Sequence, residues 1–561
     1  MKRTIYVLVM AAALSAAVES TAQNLDPTVV VDRAYEGKLM EVHKPYIDMA
    51  VPDSVVRFDL DFDYSVFDTP YRKSYEFNPY LLSMRPDASK DRSRNLYLKA
   101  GAGYQLHPLL DFIWSPEVKN GFSVDVYARH DSFVGKYHEN DPVASVDSPV
   151  WSGYDLLSEA GVSGRYDWKG GVVGIDLGYY GVAARDKSWS RSYNALDAGF
   201  SLKSKVTRNK GFAYMVDADY RFAHDALKGI PMGDSLKEHV FSLDASFGPS
   251  FRGPHRLMFD IGAEVAGYSE TMWSGAGQFY LKPGYMYRKG RFGVDVGIRV
   301  AKIFHSDVDD MAYGAVDSEQ IVYPDLKVEY MLVPDLLKVY AAVEGGNRMN
   351  TYASLLDRNH HLNPQIYEGM QSPLDYTVVK ADAYAGFEGS ARSRFTYNVL
   401  AGYCSYANAP LDVVLMPESG VLTPSLGYAA YSKWYASADM RWKSESVEVN
   451  VSATYDGARG EVFETTDNFL KPSAFNAAVA FKYNWNRRVF AGLDCEFASA
   501  RSSALYTVPW YADLGLDAEY AFNRKFSLWL RVGNILGMNV QRNPLYAEKG
   551  VYFSAGICLV L

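Results

Sequence analysis

From residue 93 onward, apolar and polar residues alternate with a period of two, in runs longer than an ordinary soluble strand. Phe212, Tyr214, Val216, Ala218, Tyr220 and Phe222 alternate with Ala213, Met215, Asp217, Asp219 and Arg221. Phe292, Val294, Val296, Ile298 and Val300 alternate with Arg291, Gly293, Asp295, Gly297 and Arg299. Similar runs begin at Phe122 and Val447, and the last one places Phe553, Ala555, Ile557, Leu559 and Leu561 on one face against Ser554, Gly556 and Cys558. Alternation of this kind makes one face for hydrocarbon and one for water. Soluble strands average about 5–6 residues, whereas a strand that crosses a bilayer needs about 9–11. The pattern therefore predicts an all-β chain: a transmembrane antiparallel β-barrel whose last strand closes on its first.

The connections alternate too. Short polar turns fall at Lys119–Gly121, Lys169–Gly171, Thr207–Gly211, Arg252–His255, Lys289–Arg291, Pro334–Asp335, Ser390–Ser393, Ser444–Ser446, Asn486–Arg488 and Asn523–Lys525. Longer linkers separate them, among them 131–153, 224–238, 305–319, 350–375, 407–424, 456–472 and 498–510. Short turns on one side and long loops on the other are the outer-membrane arrangement, with the short turns periplasmic. Counting from the turns, and adding a first strand at about 95–105 and a last at 551–561, predicts about 22 strands. Tyr166, Trp168, Tyr285, Tyr287, Trp442, Tyr483 and Trp485 gather before short turns, where an interfacial girdle belongs.

Lys2 and Arg3 precede an apolar run from Ile5 to Val18, and Ser20, Thr21 and Ala22 offer small residues for cleavage. This predicts a signal peptide over residues 1–22, an N-terminal periplasmic or lumenal segment over 23–92, and a barrel over 93–561. No later stretch approaches the ~18 apolar residues of a spanning helix. A net charge of −9 recommends neither nucleic acid nor an anionic membrane surface as a partner. Cys404, Cys495 and Cys558, three scattered cysteines, form neither a disulfide framework nor a metal set.

The end of the chain resembles that of TonB-dependent receptors. Asn534-Ile-Leu-Gly-Met-Asn, then Asn543-Pro-Leu-Tyr546, lead through a loop to the aromatic, small-residue closing strand that ends the chain. The resemblance implies an outer-membrane barrel of 22 strands, a lumen that is normally plugged, and transport. Leu561 stands where that family ends in Phe, and residues 23–92 number 70, about half of the family's plug. The expectation is a receptor-like barrel without a full-length plug domain. Phe58, Phe62, Tyr64, Phe67, Tyr71, Tyr75, Phe77 and Tyr80 make the segment too aromatic for a solvated tail, so it is expected as a partial plug.

Catalytic readings are thin. Gly233-Asp-Ser-Leu236 and Asp357-Arg-Asn-His360 match fragments of a GDSL-type esterase, but no oxyanion-forming blocks accompany Ser235. His360 and His361 are adjacent and point apart in extended chain, which disfavours a metal site. The lumenal face carries Asp125, Asp176, Asp217, Asp219, Asp260, Glu264, Asp295, Glu448, Asp494, Glu496, Asp513, Asp517 and Glu519 against Arg129, Arg221, Arg299 and Arg531. These residues make either a cation-favouring lumen or a wetted wall of paired charges. The sequence thus predicts a transporter or channel for a solute or macromolecule, without enzymatic, cofactor or metal sites. The alternative is a structural or assembly scaffold whose lumen is filled by residues 23–92 or by a partner. Expected partners are outer-membrane lipid and a plug, a periplasmic energy-coupling protein or a surface lipoprotein.

Overall fold

Side chains that alternate between lipid and water leave every backbone group to be paired by a neighbouring strand, and in a bilayer that ladder has to close on itself. The structure, a computed structural model, describes residues 95–561 apart from 105–106, 117–120, 139–149, 186–188, 206–210, 230–234, 251–252, 271–273, 306–320, 335, 363–373, 392–393, 416–421, 466–467 and 547–548. The described residues belong to one compact unit. The expected signal peptide and the expected partial plug at 23–92 lie outside the described residues.

The strands are β1 Leu96–Gly103, β2 Leu109–Trp114, β3 Phe122–His138, β4 Val150–Trp168, β5 Gly171–Arg185 and β6 Ser190–Ser204. They continue with β7 Gly211–Lys228, β8 Ser235–Ser250, β9 His255–Glu270, β10 Ser274–Lys289, β11 Phe292–His305 and β12 Val322–Val333. Next come β13 Leu337–Met349, β14 Tyr376–Ala391, β15 Phe395–Leu415, β16 Thr423–Lys443, β17 Val447–Arg459 and β18 Phe475–Trp485. The last are β19 Val489–Ala498, the two-residue pair β20 Arg501–Ser502 and β21 Thr507–Val508, then β22 Tyr511–Ala521, β23 Phe526–Gly533 and β24 Tyr552–Val560. All but β20 and β21 form one 22-stranded antiparallel meander, and β24 pairs back to β1 from Tyr97 opposite Val560 to Gly103 opposite Ser554. The backbone amides of Asn95 and Leu96 extend that seam by donating to the Leu561 carbonyl at 2.7 and 3.0 Å.

The expected strand count is met. On β24, Phe553 and Ile557 are exposed, while Ser554 and Cys558 are buried on the lumenal face. Elsewhere the outer face keeps residues such as Leu196 at 61% and Leu177 at 58% exposure, which only lipid can cover favourably. Tyr166, Tyr285, Trp442, Tyr483 and Trp485 are exposed at the short-turn end, as a girdle requires. No helix among the described residues is long and apolar enough to cross a membrane.

The wall has two heights. Strands β3 to β8 hold 15 to 19 residues, and β15 and β16 hold 21 each. Strands β18, β19, β22, β23, β24 and β1 hold only 8 to 11. Since about 9–11 residues cross the hydrocarbon, the long strands continue beyond it on the outer side. Parts of the expected linkers 131–153, 224–238 and 407–424 are therefore strand. Alternation changes sense there, because the inner face carries buried apolar residues such as Val182, Ala195, Ala223, Leu236 and Ala266 while the outer face carries exposed polar ones such as Ser192 and Asn194.

Lumenal aromatic rings lie on glycines of neighbouring strands. A Cβ on Gly262 would come within 2.0 Å of the Tyr280 ring, and one on Gly101 within 2.3 Å of the Trp529 ring. Only glycine admits that approach.

Candidate functional site

The lumen and its outer mouth are the candidate site. On the wall, carboxylates meet bases across strands. Arg221 reaches Asp197 at 2.6 Å, Lys282 reaches Asp260 at 3.2 Å and Asp325 at 2.9 Å, and Lys338 reaches Glu388 at 2.6 Å. Lys433 pairs with Asp456 at 2.8 Å, Arg441 with Glu448 at 2.8 Å and Arg531 with Asp517 at 2.9 Å. Phenols take other carboxylates: Tyr280 donates to Asp244 and Tyr435 to Asp382, each at 2.7 Å. Of the two sequence readings, the geometry supports a wetted, charge-paired wall. The lysines were missed, although Lys282 and Lys433 share the inward parity of Tyr280 and Tyr435, which was the available signal.

The outer mouth is covered by the chain's own connections. Within the expected linker 350–375 a short helix, α1 (Tyr352–Arg358), starts at Thr351, whose side chain accepts the Ser354 amide, and ends at Asn359. Tyr352, Ala353, Leu355 and Leu356 are buried and pack with Tyr180, Val182, Tyr193, Ala223, Leu236, Ala266 and Tyr268 on the tall wall. Polar contacts fix the helix in place. The Tyr352 hydroxyl donates to Asp225 at 2.6 Å, and the Ala353 amide and the Tyr193 hydroxyl donate to Glu238 at 3.3 and 2.8 Å. The buried Arg191 donates to the Leu362 carbonyl and stands 3.8 Å from Asp225. Burial and the neighbouring Asp225 hold the Tyr352 phenol well above its ordinary pKa, so it remains a donor.

The tips of β15 and β16 form the middle of this cover. Ala409, Leu411, Val413, Val414 and Leu415 are all buried, as are Leu426 and Tyr428 opposite them. On one side lies the α1 core; on the other lies a second core of Val414, Leu422, Leu470, Tyr506, Val508 and Leu545. Asp412 ties the two sides together by accepting from Arg358 at 2.9 Å and from Arg501 at 2.6 Å, and Arg501 also donates to the Arg542 carbonyl at 2.7 Å. His361 stacks on Tyr546 with ring centroids 4.5 Å apart. Residues 350–362, 408–415, 422–428, 499–510 and 534–546 are thus joined in one cap.

The fragments of an esterase motif do not meet. Ser235 opens β8 and donates to Glu270, Asp357 accepts from Tyr180, and the His360 ring bonds Asp155 at 2.8 Å. Among the described residues no group of His, Cys, Asp or Glu is arranged to hold a metal ion.

No protein-family model and no curated protein matches the sequence. Solved structures do match in fold. The copper transporter OprC aligns with a TM-score of 0.60 at 10% identity, over 84% of this chain and 80% of that one. The siderophore receptor PirA from Acinetobacter baumannii gives 0.58 at 11% identity, over 83% and 80%. The FrpB iron transporter from Neisseria meningitidis gives 0.60 at 9% identity, over 84% and 83%. The chain is a 22-stranded antiparallel β-barrel, similar in fold to TonB-dependent receptors.

Proposed function

We propose that this protein passes a solute across the outer membrane through its lumen, with the cap controlling entry from outside. A single observation carries the reading: a hydrophilic, charge-paired wall ends in a mouth covered by hydrogen-bonded loops of the same chain. A wall of paired charges keeps water and a polar solute in the lumen without binding either strongly. A covered mouth keeps so wide a barrel from breaching the permeability barrier. The fold neighbours are transporters and a siderophore receptor, which favours transport over an enzymatic role. By the same likeness we assign a TonB-type energy partner on the periplasmic side.

The second reading, a non-transporting scaffold, is favoured by one observation: the cap is closed by two apolar cores rather than by mobile polar loops. Planar-bilayer recording separates the two. The transport reading expects a mostly closed protein that opens in steps, and more often in Asp412→Asn, which weakens the tie across the cap. Silence from both proteins in reconstituted bilayers would leave the scaffold.

A further inference from the structure

Three successive strand pairings, from β13 to β16, change register at one height. The pairing of β13 with β14 shifts between Glu344 and Gly346, and that of β14 with β15 shifts on either side of Val379. The pairing of β15 with β16 shifts between Tyr406 and Ala409. Lys380 and Ala381 stand against Gly345, Lys380 and Ala407 are skipped between β14 and β15, and Ala407 and Asn408 stand against Ala430, so the irregular residues form a line across the wall. A bulge bends its strand and raises the local twist. Three in a row make a crease.

Above the crease the strands leave the ring. The Tyr376 hydroxyl, at the tip of β14, donates to the carbonyls of Gly277 on β10 at 2.8 Å and Phe304 on β11 at 2.9 Å. Strands β12 and β13 stand between β14 and those two in the ring, so the tip of β14 has turned across the mouth. Asn408 follows it, donating to Asp375 at 3.0 Å and to the Tyr376 carbonyl at 2.8 Å. Asn350 also donates to the Asp375 carbonyl, at 2.9 Å. Helix α1 extends from the tip of β13 in the same direction.

We propose that the tips of β13 to β16 and α1 form one flap, hinged on this bulge line, that swings as a unit to uncover the lumen. Its purpose rests on the transport reading; its movement does not. Below the hinge, β14 and β15 pair without interruption from Ala381 opposite Ser405 to Ala391 opposite Phe395, which makes a rigid base. Above it, α1 and the strand tips pack on the tall wall through their shared apolar core, and polar contacts fasten that packing: Tyr352 to Asp225, His360 to Asp155, and Asp412 to Arg501. Backbone pairing of the flap with its surroundings includes the short bridge of Val413 with Phe469, where Val414 donates to Asn468 and Leu470 to Asp412, so the flap swings when this bridge and the side-chain contacts open together.

Hydrogen exchange on the intact protein in lipid nanodiscs tests this. Amides in 346–349, 376–379 and 409–415 should exchange at one common rate, faster than those in 382–391 and 395–405. Asp412→Asn should speed all three tips together by about tenfold, the equivalent of one charge-assisted hydrogen bond, and leave the base unchanged. Tyr352→Phe, which removes only a hydroxyl at a packed ring, should act on the same three segments. Tips that exchange at unrelated rates, or a variant that speeds only its own segment, would overturn the flap. Common exchange in a protein silent in bilayers would keep the flap and reject transport.

Discussion

At the scale of single residues, the two faces of a strand differ in what they tolerate. Ile557 is 43% exposed on the lipid face of β24, and a lysine there should cost ~2–4 kcal/mol near the midplane. Thr454 is exposed on the lumenal face of β17, and Thr454→Lys should cost little, since a charge there meets water. Heat-modifiable migration and urea unfolding of both variants check the assignment; equal losses would contradict it. The lumenal side of the seam is a poor control, because a Cβ on Gly556 would lie 2.0 Å from the Ala100 carbonyl oxygen. That crowding is invisible to alternation, which reports the face of a residue but not the clearance above it.

At the scale of elements, burial governs the cap. Asp375 is fully buried beside Asn350, Tyr376, Asn408 and Tyr428, and this burial pushes its carboxyl up to about 7, against the opposing pull of the Tyr376 amide and the Asn408 side chain. The folded tip then keeps a proton that the unfolded chain releases near its ordinary value of 3.8. Its contribution is greatest below that value, falls as pH rises toward about 7, and is flat above. Asp375→Asn should abolish this slope and slow exchange of 376–379 at pH 8, once intrinsic rates are corrected; an unchanged slope would place the titration elsewhere. Membrane-crossing elements were legible in the sequence because lipid imposes a strict period on each of them. The closing strand of Phe553, Ile557 and Ser554 is an instance. Helix α1 was not, since Tyr352, Ala353, Leu355 and Leu356 occupy a single turn or two inside a linker, too short for helical periodicity to emerge. The long strand tips were hidden for another reason: there the apolar face turns inward, with Val182 and Leu236 buried and Ser192 and Asn194 exposed, so the parity that marks a lipid-facing strand is reversed.

At the scale of the whole molecule, charge pairing along the lumen predicts how ions pass. Carboxylates such as Asp197, Asp260, Glu388 and Asp517 each have a base within salt-bridge reach, which offsets their field, while Asp217 with Asp219 and Asp244, and Asp494 with Asp517 and Asp513, are like-charged clusters on the same wall. Reversal potentials of open channels in a potassium chloride gradient should therefore show only a weak cation preference, and a strong one would show that the acidic residues act unpaired. The candidate site was half legible. Parity found inward acids such as Asp260 and Asp517 and the bases Arg221 and Arg531, but not Asp197, Asp325, Glu388 or the lysines that pair with them, and the cap depends on contacts between residues such as Arg358, Asp412 and Arg501 that lie far apart in sequence.

The rings that rest on glycines set the calibre of this conduit. A phenol or indole standing upright from the wall would project toward the axis by most of its own length. Laid over Gly262 or Gly101, Tyr280 and Trp529 are tangential and take up almost none of the cross-section. Bore width is thereby written into small residues of the wall itself, and an alanine at either position would tilt a ring inward like a baffle in a pipe.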